Sequence, residues 1–123
     1  MNDKRPYGFP NSLRVRHQVE FDRVYGRNVY AADSTLVVQG CENGTSTSRL
    51  GLSVSRRVGN AVVRNRWKRL IREAFRQQFA NLPMGLDLVV RPRRGAVVSF
   101  SAVYVALPRL ARRIDQSLRR SKS

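Results

Sequence analysis

Basic side chains crowded between Arg56 and Arg76 are the strongest sign of chemistry in this sequence. The segment RRVGNAVVRNRWKRLIREAFR holds eight basic residues and one acid, Glu73. Most of the basic residues are arginines, whose forked donors match phosphate and whose flat faces stack on bases. Residues of this type at this density favour the binding of a polyanion, above all a nucleic acid.

The same segment has the apolar spacing of an amphipathic helix, with side chains at three- and four-residue steps. The apolar face consists of Val63, Trp67, Leu70, Ile71, Ala74 and Phe75. The opposite face carries Asn65, Lys68, Arg69, Arg72 and Arg76, with Arg64 and Arg66 on the two flanks. Gly59 permits a tight turn and Asn60 is a good N-cap, so the helix is expected to run from there to about Phe79. Its free N–H groups favour an anion, beside Arg56, Arg57 and Arg64.

The whole chain is strongly basic, with 24 Lys and Arg against 8 Asp and Glu and a net charge of +16. Its 123 residues are most simply one domain, residues 1–123. A membrane surface is the alternative polyanion, but no apolar run approaches the ~20 residues of a span. The N-terminal MNDKRPYGFPN lacks a signal-peptide core, and Cys41 is the single cysteine. A cytoplasmic, reduced protein without a membrane partner is therefore expected.

The N-terminal part predicts an irregular lead-in over residues 1–11, which contains Pro6 and Pro10, and then a short helix. Leu13, His17, Phe21 and Tyr25 stand four residues apart, with Asn11 or Ser12 as the cap and Gly26 as the end. Phe21 and Tyr25 have two interpretations: packing in the core, or a stacking platform for unpaired bases.

Two segments predict strands that pair as an antiparallel hairpin, Thr35 to Gly40 and Arg49 to Ser55. In the second strand Leu50, Leu52 and Val54 alternate with Gly51, Ser53 and Ser55. The face of small residues is either an ordinary solvated surface or the floor of a shallow groove.

The C-terminal part predicts a strand over Leu86 to Val90, a loop over Arg91 to Gly95 and a helix that begins at Ser99 or Ser101. The apolar line of this helix is Val103, Leu107, Leu110, Ile114 and Leu118. Pro108 lies inside it, so a kink, or two helices that meet near Leu107, is expected. Residues 119–123 are expected to form a disordered tail.

The acids of the chain show no metal-binding or catalytic spacing. They are Asp3, Glu20, Asp22, Asp33, Glu42, Glu73, Asp87 and Asp115. No phosphate-binding glycine loop is present, and Cys41 and the single histidine, His17, lie in no nucleophile motif. No side chain of this protein is therefore expected to be catalytic, and no metal or cofactor is expected on the protein alone.

The segment GLSVSRRVGNAVVRNRWKRLIREAFR, from Gly51 to Arg76, resembles the signature of the protein subunit of bacterial ribonuclease P. Its most specific part is Arg64-Asn65-Arg66, followed by Lys68, Arg69 and Arg72. The order of elements is similar as well, and the resemblance covers residues 12–118. Gln39 departs from the pattern, at a hairpin position where relatives can carry an aromatic.

This resemblance implies an α/β (α+β) two-layer sandwich like the second domain of ribosomal protein S5. Such a fold has a four-stranded mixed sheet and a left-handed βαβ crossover through the basic helix, against the usual hand. It also implies a ribonucleoprotein whose catalytic RNA removes the 5′ leader of precursor tRNA. In that enzyme the RNA subunit carries the active site and its Mg²⁺, and no obligate protein partner is expected.

The resemblance also assigns roles to individual residues. The positions that match the RNA-facing motif are Arg56, Arg57, Asn60, Arg64, Asn65, Arg66, Lys68, Arg69 and Arg72. Phe21 and Tyr25 match the aromatic positions beside the leader cleft. Two other function classes stay open. One is a ribosomal or general RNA-chaperone protein, and the other is a protein-only nuclease, although the chain lacks the carboxylates that such an enzyme needs.

Overall fold

The computed structural model describes residues 9–121, in which three helices lie against a four-stranded mixed sheet. The helices are α1 (Gln18–Arg27), α2 (Ala61–Gln78) and α3 (Phe100–Arg120). The strands are β1 (Tyr30–Ala32), β2 (Leu36–Glu42), β3 (Arg49–Leu52) and β4 (Leu86–Pro92). Short 3₁₀ turns cover Asn11–Leu13, Arg56–Val58 and Phe79–Asn81. This is the α+β, four-stranded mixed architecture that the family resemblance implies.

The strands lie in the order β1-β2-β4-β3. The predicted hairpin between Thr35 to Gly40 and Arg49 to Ser55, which correspond to β2 and β3, is therefore wrong. Strand β4 separates them, antiparallel to β2 and parallel to β3. The physical reason lies in β4 itself, where Leu88 and Val90 face one side, Val89 faces the other, and all three are buried. A strand that is apolar on both faces belongs in the middle of a sheet. Helix α2 connects the parallel pair; the hand of that crossover stays a prediction.

The core lies between one face of the sheet and helices α2 and α3. Its largest fully buried side chains include Trp67, Ile71, Phe75, Leu36, Leu88 and Leu107. Each residue of the predicted apolar line of the last helix is buried. In α2, Val63 and Leu70 are only half-buried, so the apolar stripe is narrower than its pattern predicts.

Helix α1 begins later than predicted, at Gln18. The residues before it are extended because the N–H of Val15 donates to the carbonyl of Leu50 at 2.9 Å, which ties this stretch to the free edge of β3. Leu13 therefore belongs to a 3₁₀ turn and not to the helix. The helix ends at Arg27, and Asn28, not Gly26, takes the left-handed conformation (φ 58°). Strand β1 follows at once and was not predicted from the sequence.

The ends of the two long helices confirm most of the predicted caps. The Oδ1 of Asn60 accepts the N–H of Val63 at 3.0 Å, and α2 ends at Gln78, one residue before the predicted end. The Oγ of Ser99 accepts the N–H of Ala102 at 3.3 Å.

Two expectations about the C-terminal end change. Helix α3 is continuous through Pro108, so two helices that meet near Leu107 are ruled out, while the alternative of a kink stays a prediction. Arg119 and Arg120 form the end of this helix, although they were expected in the disordered tail. Residues 122–123 of that tail, and residues 1–8 of the lead-in, lie outside the described residues.

Candidate nucleic-acid interface

Helix α1 crosses the outer face of the sheet, the face opposite α2 and α3, and ion pairs hold it to three strands in turn. The partners lie on β3, β4 and β2. The pairs are Glu20 with Arg49 at 3.1 Å, Arg23 with Asp87 at 3.2 Å, and Arg27 with Glu42 at 3.3 Å. All three helix residues lie on one flank of α1, which leaves the other flank to face the open part of the sheet.

Asp87 is the centre of this clamp and is fully buried. Its carboxylate accepts two hydrogen bonds from Arg49, at 2.6 and 2.8 Å, and one from Asn43 at 3.0 Å. The hydrogen bonds to Asp87 raise the pKa of Arg49 further above its ordinary value. A buried carboxylate is tolerated only with such partners, so this network fixes α1 and the loop after β2 relative to the sheet.

The free flank of α1 carries the two predicted aromatic residues, Phe21 and Tyr25. Val24 points down into the sheet and is fully buried, which turns these two rings to the side away from the ion pairs. Their ring centroids lie 6.3 Å apart; Phe21 is half-buried and Tyr25 is 40% exposed. Phe21 is therefore largely packed, whereas Tyr25 leaves part of its surface open to solvent.

Gly51 explains why small residues occupy the outer face of β3. A Cβ at this position would lie 3.0 Å from Cε1 of Phe21 and 3.0 Å from Cβ of Val15. The glycine thus admits the ring of Phe21 close to the sheet. Neither interpretation of this face holds for Gly51, which is buried under Phe21 and Val15, whereas Ser53 is half-buried and Ser55 is exposed.

Beside the aromatic flank of α1, formed by Phe21 and Tyr25, the outer face of the sheet forms a trough. The trough is defined by the side chains of Gln39, Val37 and Arg91. Gln39 pairs with Val89, and Val37 pairs with Arg91, in the register of β2 and β4. Since residues directly opposite in a sheet share one face, these side chains lie on the α1 side. The trough is open beyond α1, towards the C-terminal end of β4.

At that end the trough runs into a pocket of about 540 Å³ that is ringed by four arginines. The arginines are Arg57, Arg91, Arg93 and Arg94, and the apolar lining includes Val37, Val58, Trp67, Pro92 and Ala96. Within residues 9–121, Arg57 and Arg94 have no hydrogen-bond or ion-pair partner. The pocket can therefore hold an anion such as phosphate, with apolar surface beside it for a sugar or base.

Sequence reasoning missed three of these arginines, because Arg91 to Gly95 was interpreted only as a loop. The missed signal was the run Arg91-Pro92-Arg93-Arg94 directly after a predicted strand. Strand β4 extends to Pro92, which brings the run to the end of the sheet nearest the start of α2.

The predicted RNA-facing residues are divided between exposed and half-buried positions. The exposed ones are Arg56 and Arg57, in the 3₁₀ turn before α2, and Asn65, Arg66 and Arg69 on the helix. The half-buried ones are Arg64, Lys68 and Arg72. Asn60 is exposed, but its side-chain oxygen caps the helix, so its first role is to position the arginines that follow. The Nε of Arg64 is buried and has no acceptor among the described residues. A buried donor without a partner is costly, and an external anion would satisfy it.

Arg72 on α2 lies next to Phe21, a residue of the aromatic flank of α1. Arg72 and Phe21 line one cavity of about 300 Å³, together with Arg14. Burial, and then the neighbouring charges of Arg14 and Arg69, lower the pKa of Arg72. Cations crowded in this way repel one another, which favours a bound anion here as well.

No helix within residues 9–121 is long and apolar enough to cross a membrane. No group of three or more His, Cys, Asp or Glu side chains there is placed to hold a metal ion.

Comparisons with known proteins agree with each other. The family model described as Ribonuclease P matches residues 9–115. The "Ribonuclease P protein component" of Lachnoclostridium phytofermentans is 39% identical over 102 residues, which cover 82% of this chain and 88% of that protein. The protein of the same name from Desulfovibrio desulfuricans is 36% identical over 119 residues, 93% of this chain and 92% of the relative.

Solved structures give the same result. The RNase P protein from Thermotoga maritima superposes with a TM-score of 0.75 and 34% identity, over 81% of this chain and 96% of that one. The RNase P protein of Staphylococcus aureus superposes with a TM-score of 0.71 and 32% identity, over 80% and 91%.

Proposed function

Because this chain belongs to the ribonuclease P protein family, we propose that it binds the catalytic RNA of a ribonuclease P ribonucleoprotein and holds the single-stranded 5′ leader of precursor tRNA. It is thereby the protein part of a tRNA 5′-maturation enzyme. The RNA subunit carries the chemistry, and no side chain described above acts as a nucleophile or a general base.

One arrangement supports the leader-binding part of this proposal. An aromatic flank, Phe21 and Tyr25, stands on one side of the trough, and the arginine pocket lies at its end. Unpaired bases stack on aromatic rings, and their phosphates pair with guanidinium groups. The bases of a duplex are stacked and have no free faces for the aromatic rings. A single strand offers unpaired bases and phosphates at the same time.

The cations of α2 support the other part, the binding of the catalytic RNA. They form a rigid row with an unsatisfied donor at Arg64 and crowded charges at Arg72. A net charge of +16 also screens the repulsion between two RNAs that must approach each other. The protein then promotes cleavage by position: it fixes the leader so that the scissile phosphate meets Mg²⁺ held by the RNA. Such an assembly works in the cytoplasm.

Reconstitution with the cognate RNA tests this proposal. At low Mg²⁺ the protein should stimulate leader removal from precursor tRNA, and the holoenzyme should bind precursor more tightly than mature tRNA. Equal binding of the two, together with binding to many unrelated structured RNAs, would indicate an RNA-chaperone protein instead. Mg²⁺-dependent cleavage by the protein without RNA would indicate a nuclease.

Paired substitutions separate the two binding roles. If about six cations of α2 contact phosphate, log affinity for the catalytic RNA should fall against log salt with a slope near −4 to −5. The double change Arg64→Ala and Arg66→Ala should weaken that affinity and make the slope shallower by about 1 to 2. The matched control removes two exposed arginines of α3, Arg112→Ala and Arg113→Ala, and should leave the slope nearly unchanged. Equal effects of the two pairs would contradict the assignment to α2.

A further inference from the structure

Phe79 is the most exposed phenylalanine of the chain, at 37%, and it directly follows the basic helix α2. Its backbone is still helical (φ −51°, ψ −43°), so its ring extends the surface of that helix. Arg72 and Arg76 precede it by seven and three residues, and these intervals put all three side chains on the same side of the helix. Phe79 therefore lies at the C-terminal end of the row of cations.

Two further rings hold Phe79 in place from the side of the core. Its centroid lies 5.7 Å from that of Phe75, with an angle of 63° between the rings. Phe75 meets Phe9 in the same edge-to-face manner, at 5.7 Å and 64°, and both of these rings are buried. Because edge-to-face pairs favour a defined ring geometry, Phe79 presents a supported, partly open aromatic surface.

The charges at this end of α2 do not favour a phosphate. Both carboxylate oxygens of Glu73 bind the guanidinium of Arg76, with 3.2 Å between Oε1 and Nε, so the two charges offset each other. The free carbonyl groups at a helix C-terminus add a partial negative charge. Within residues 9–121, Arg72 has no ion-pair or hydrogen-bond partner and is the last unpaired cation of the helix. A stacked base, which carries no charge, suits the surface beyond it.

We propose that Phe79 stacks on an unpaired base of the catalytic RNA, beyond the phosphates that the cations of α2 bind. A rise of 1.5 Å per residue places Phe79 about 10 Å past Arg72 along the helix. Stacking on the ring needs a free base face, which a duplex does not offer. The ring thus favours RNA that has an unpaired nucleotide next to the docked strand, whereas the cations attract any RNA.

Phe79 belongs to a different part of the molecule from the aromatic flank of α1. Phe21 packs on the outer face of the sheet, against the cluster that contains Val24 and Val89. The rings that support Phe79 belong to the main core, on the opposite face of the sheet. Since the α2 cations share this side of the molecule, the partner assigned to Phe79 is the catalytic RNA and not the leader.

This inference rests on the proposed function, and its test measures the affinity of the full protein for the cognate catalytic RNA at a series of salt concentrations. Phe79→Leu keeps an apolar contact with Phe75 but removes the flat ring, and should weaken binding by at least about fivefold. Phe79→Tyr keeps the ring and should bind within about twofold of wild type. Because a stacked base releases no counterions, all three proteins should show the same slope of log affinity against log salt. Arg69→Ala, in contrast, should make that slope shallower by about 1.

Acylation of RNA 2′-hydroxyl groups locates the contact on the catalytic RNA. One unpaired nucleotide should lose reactivity in the complex with wild type or Phe79→Tyr, and regain it with Phe79→Leu. Val105→Ala is the matched control, since Val105 is an apolar side chain that is 56% exposed on α3. It should leave the affinity, the slope and the acylation pattern unchanged.

The possible failures are distinguishable. If wild type binds the cognate RNA no better than an unrelated structured RNA of equal length, the proposed function itself is wrong. If it binds selectively but Phe79→Leu matches wild type, or flattens the slope as Arg69→Ala does, only the stacking contact is wrong. A loss confined to precursor tRNA would show that the leader, and not the catalytic RNA, occupies Phe79. Thermal unfolding of each variant confirms that the comparison is made on folded protein.

Discussion

The side-chain amide of Gln78 in α2 donates a hydrogen bond to the main-chain carbonyl of Tyr104 in α3, across 2.9 Å. Tyr104 lies four residues before Pro108, whose nitrogen has no proton to give to that carbonyl. Gln78 supplies the missing donor from the neighbouring helix, and its own oxygen accepts from Asn81 at 2.8 Å. This explains both a buried glutamine in α2 and an unbroken helix around an interior proline.

Gln78→Leu should lower the free energy of unfolding by about 1–3 kcal/mol, because it leaves the carbonyl of Tyr104 buried without a donor. In a Pro108→Ala background the main chain at position 108 can donate, so the same change should cost less. Urea unfolding of the four proteins gives the coupling, expected at about 1 kcal/mol or more. An identical cost of Gln78→Leu in both backgrounds would contradict the role assigned to Gln78.

Glu20 should make the stability of the protein depend on pH in the acid range. The N–H groups of Arg16 and His17, at 3.0 and 3.1 Å, lower the pKa of Glu20 to about 2. Since the folded pKa lies below that of the unfolded chain, about 4.3, the stabilisation is complete above that pH and is lost as pH falls towards 2. Glu20→Gln should therefore cost about 1 kcal/mol at pH 7 and progressively less below pH 4.

Denaturant unfolding at a series of pH values measures this difference. Asp22→Asn, on the exposed side of the same helix, is the control and should change stability by less than about 0.5 kcal/mol. A gap between wild type and Glu20→Gln that stays constant from pH 7 to pH 2.5 would show that the charge of Glu20 is not responsible.

Gly51→Ala should displace the ring of Phe21. Val15 is tied to β3 by its main chain, so the new methyl group must push the ring rather than the backbone. Overpacking of this kind costs about 1–3 kcal/mol. Under the proposed function the aromatic flank contacts only the leader, so binding of precursor tRNA should weaken and binding of mature tRNA should not.

Gly26→Ala provides the matched control for that change. A Cβ at Gly26 meets nothing within 4 Å, and the residue lies in α1 with an ordinary helical backbone. The substitution should stabilise the protein by about 0.5–1 kcal/mol and leave both affinities unchanged. If both glycine variants lower affinity for the leader equally, a close approach of Phe21 to Gly51 is not the cause.

Local patterns in the sequence predicted α2 and α3 well, because their amphipathic periods and their caps lie within a few neighbouring residues. Asn60 and Ser99 are caps of this kind. Pro108 misled the prediction, because the carbonyl of Tyr104, which Pro108 leaves without its helical donor, is satisfied by Gln78, 26 residues away in sequence. No local propensity contains that information.

Local sequence patterns could not predict the order of the strands in the sheet. Alternation in β3 indicated which residues face the core, but not that the neighbour is β4 rather than β2. The usable signal was the apolar run in β4, which is typical of a central strand. The candidate site was predicted in part for the same reason: the α2 cations are contiguous, whereas Arg91, Arg93 and Arg94 join Arg57 only through the sheet order.

The insertion of β4 between two strands that precede it has a consequence for biosynthesis. A nascent chain that ends before Leu86 holds β2 and β3 but not the strand that separates them, so both expose unpaired edges. Its sheet contacts are long-range in sequence and form slowly, and open edges invite association with other chains. The trough, whose floor includes Arg91, comes into existence only when about three-quarters of the chain has left the ribosome. Because the ribosome releases α2 before β4, RNA could bind to the cations of α2 before the proposed site for the leader has formed.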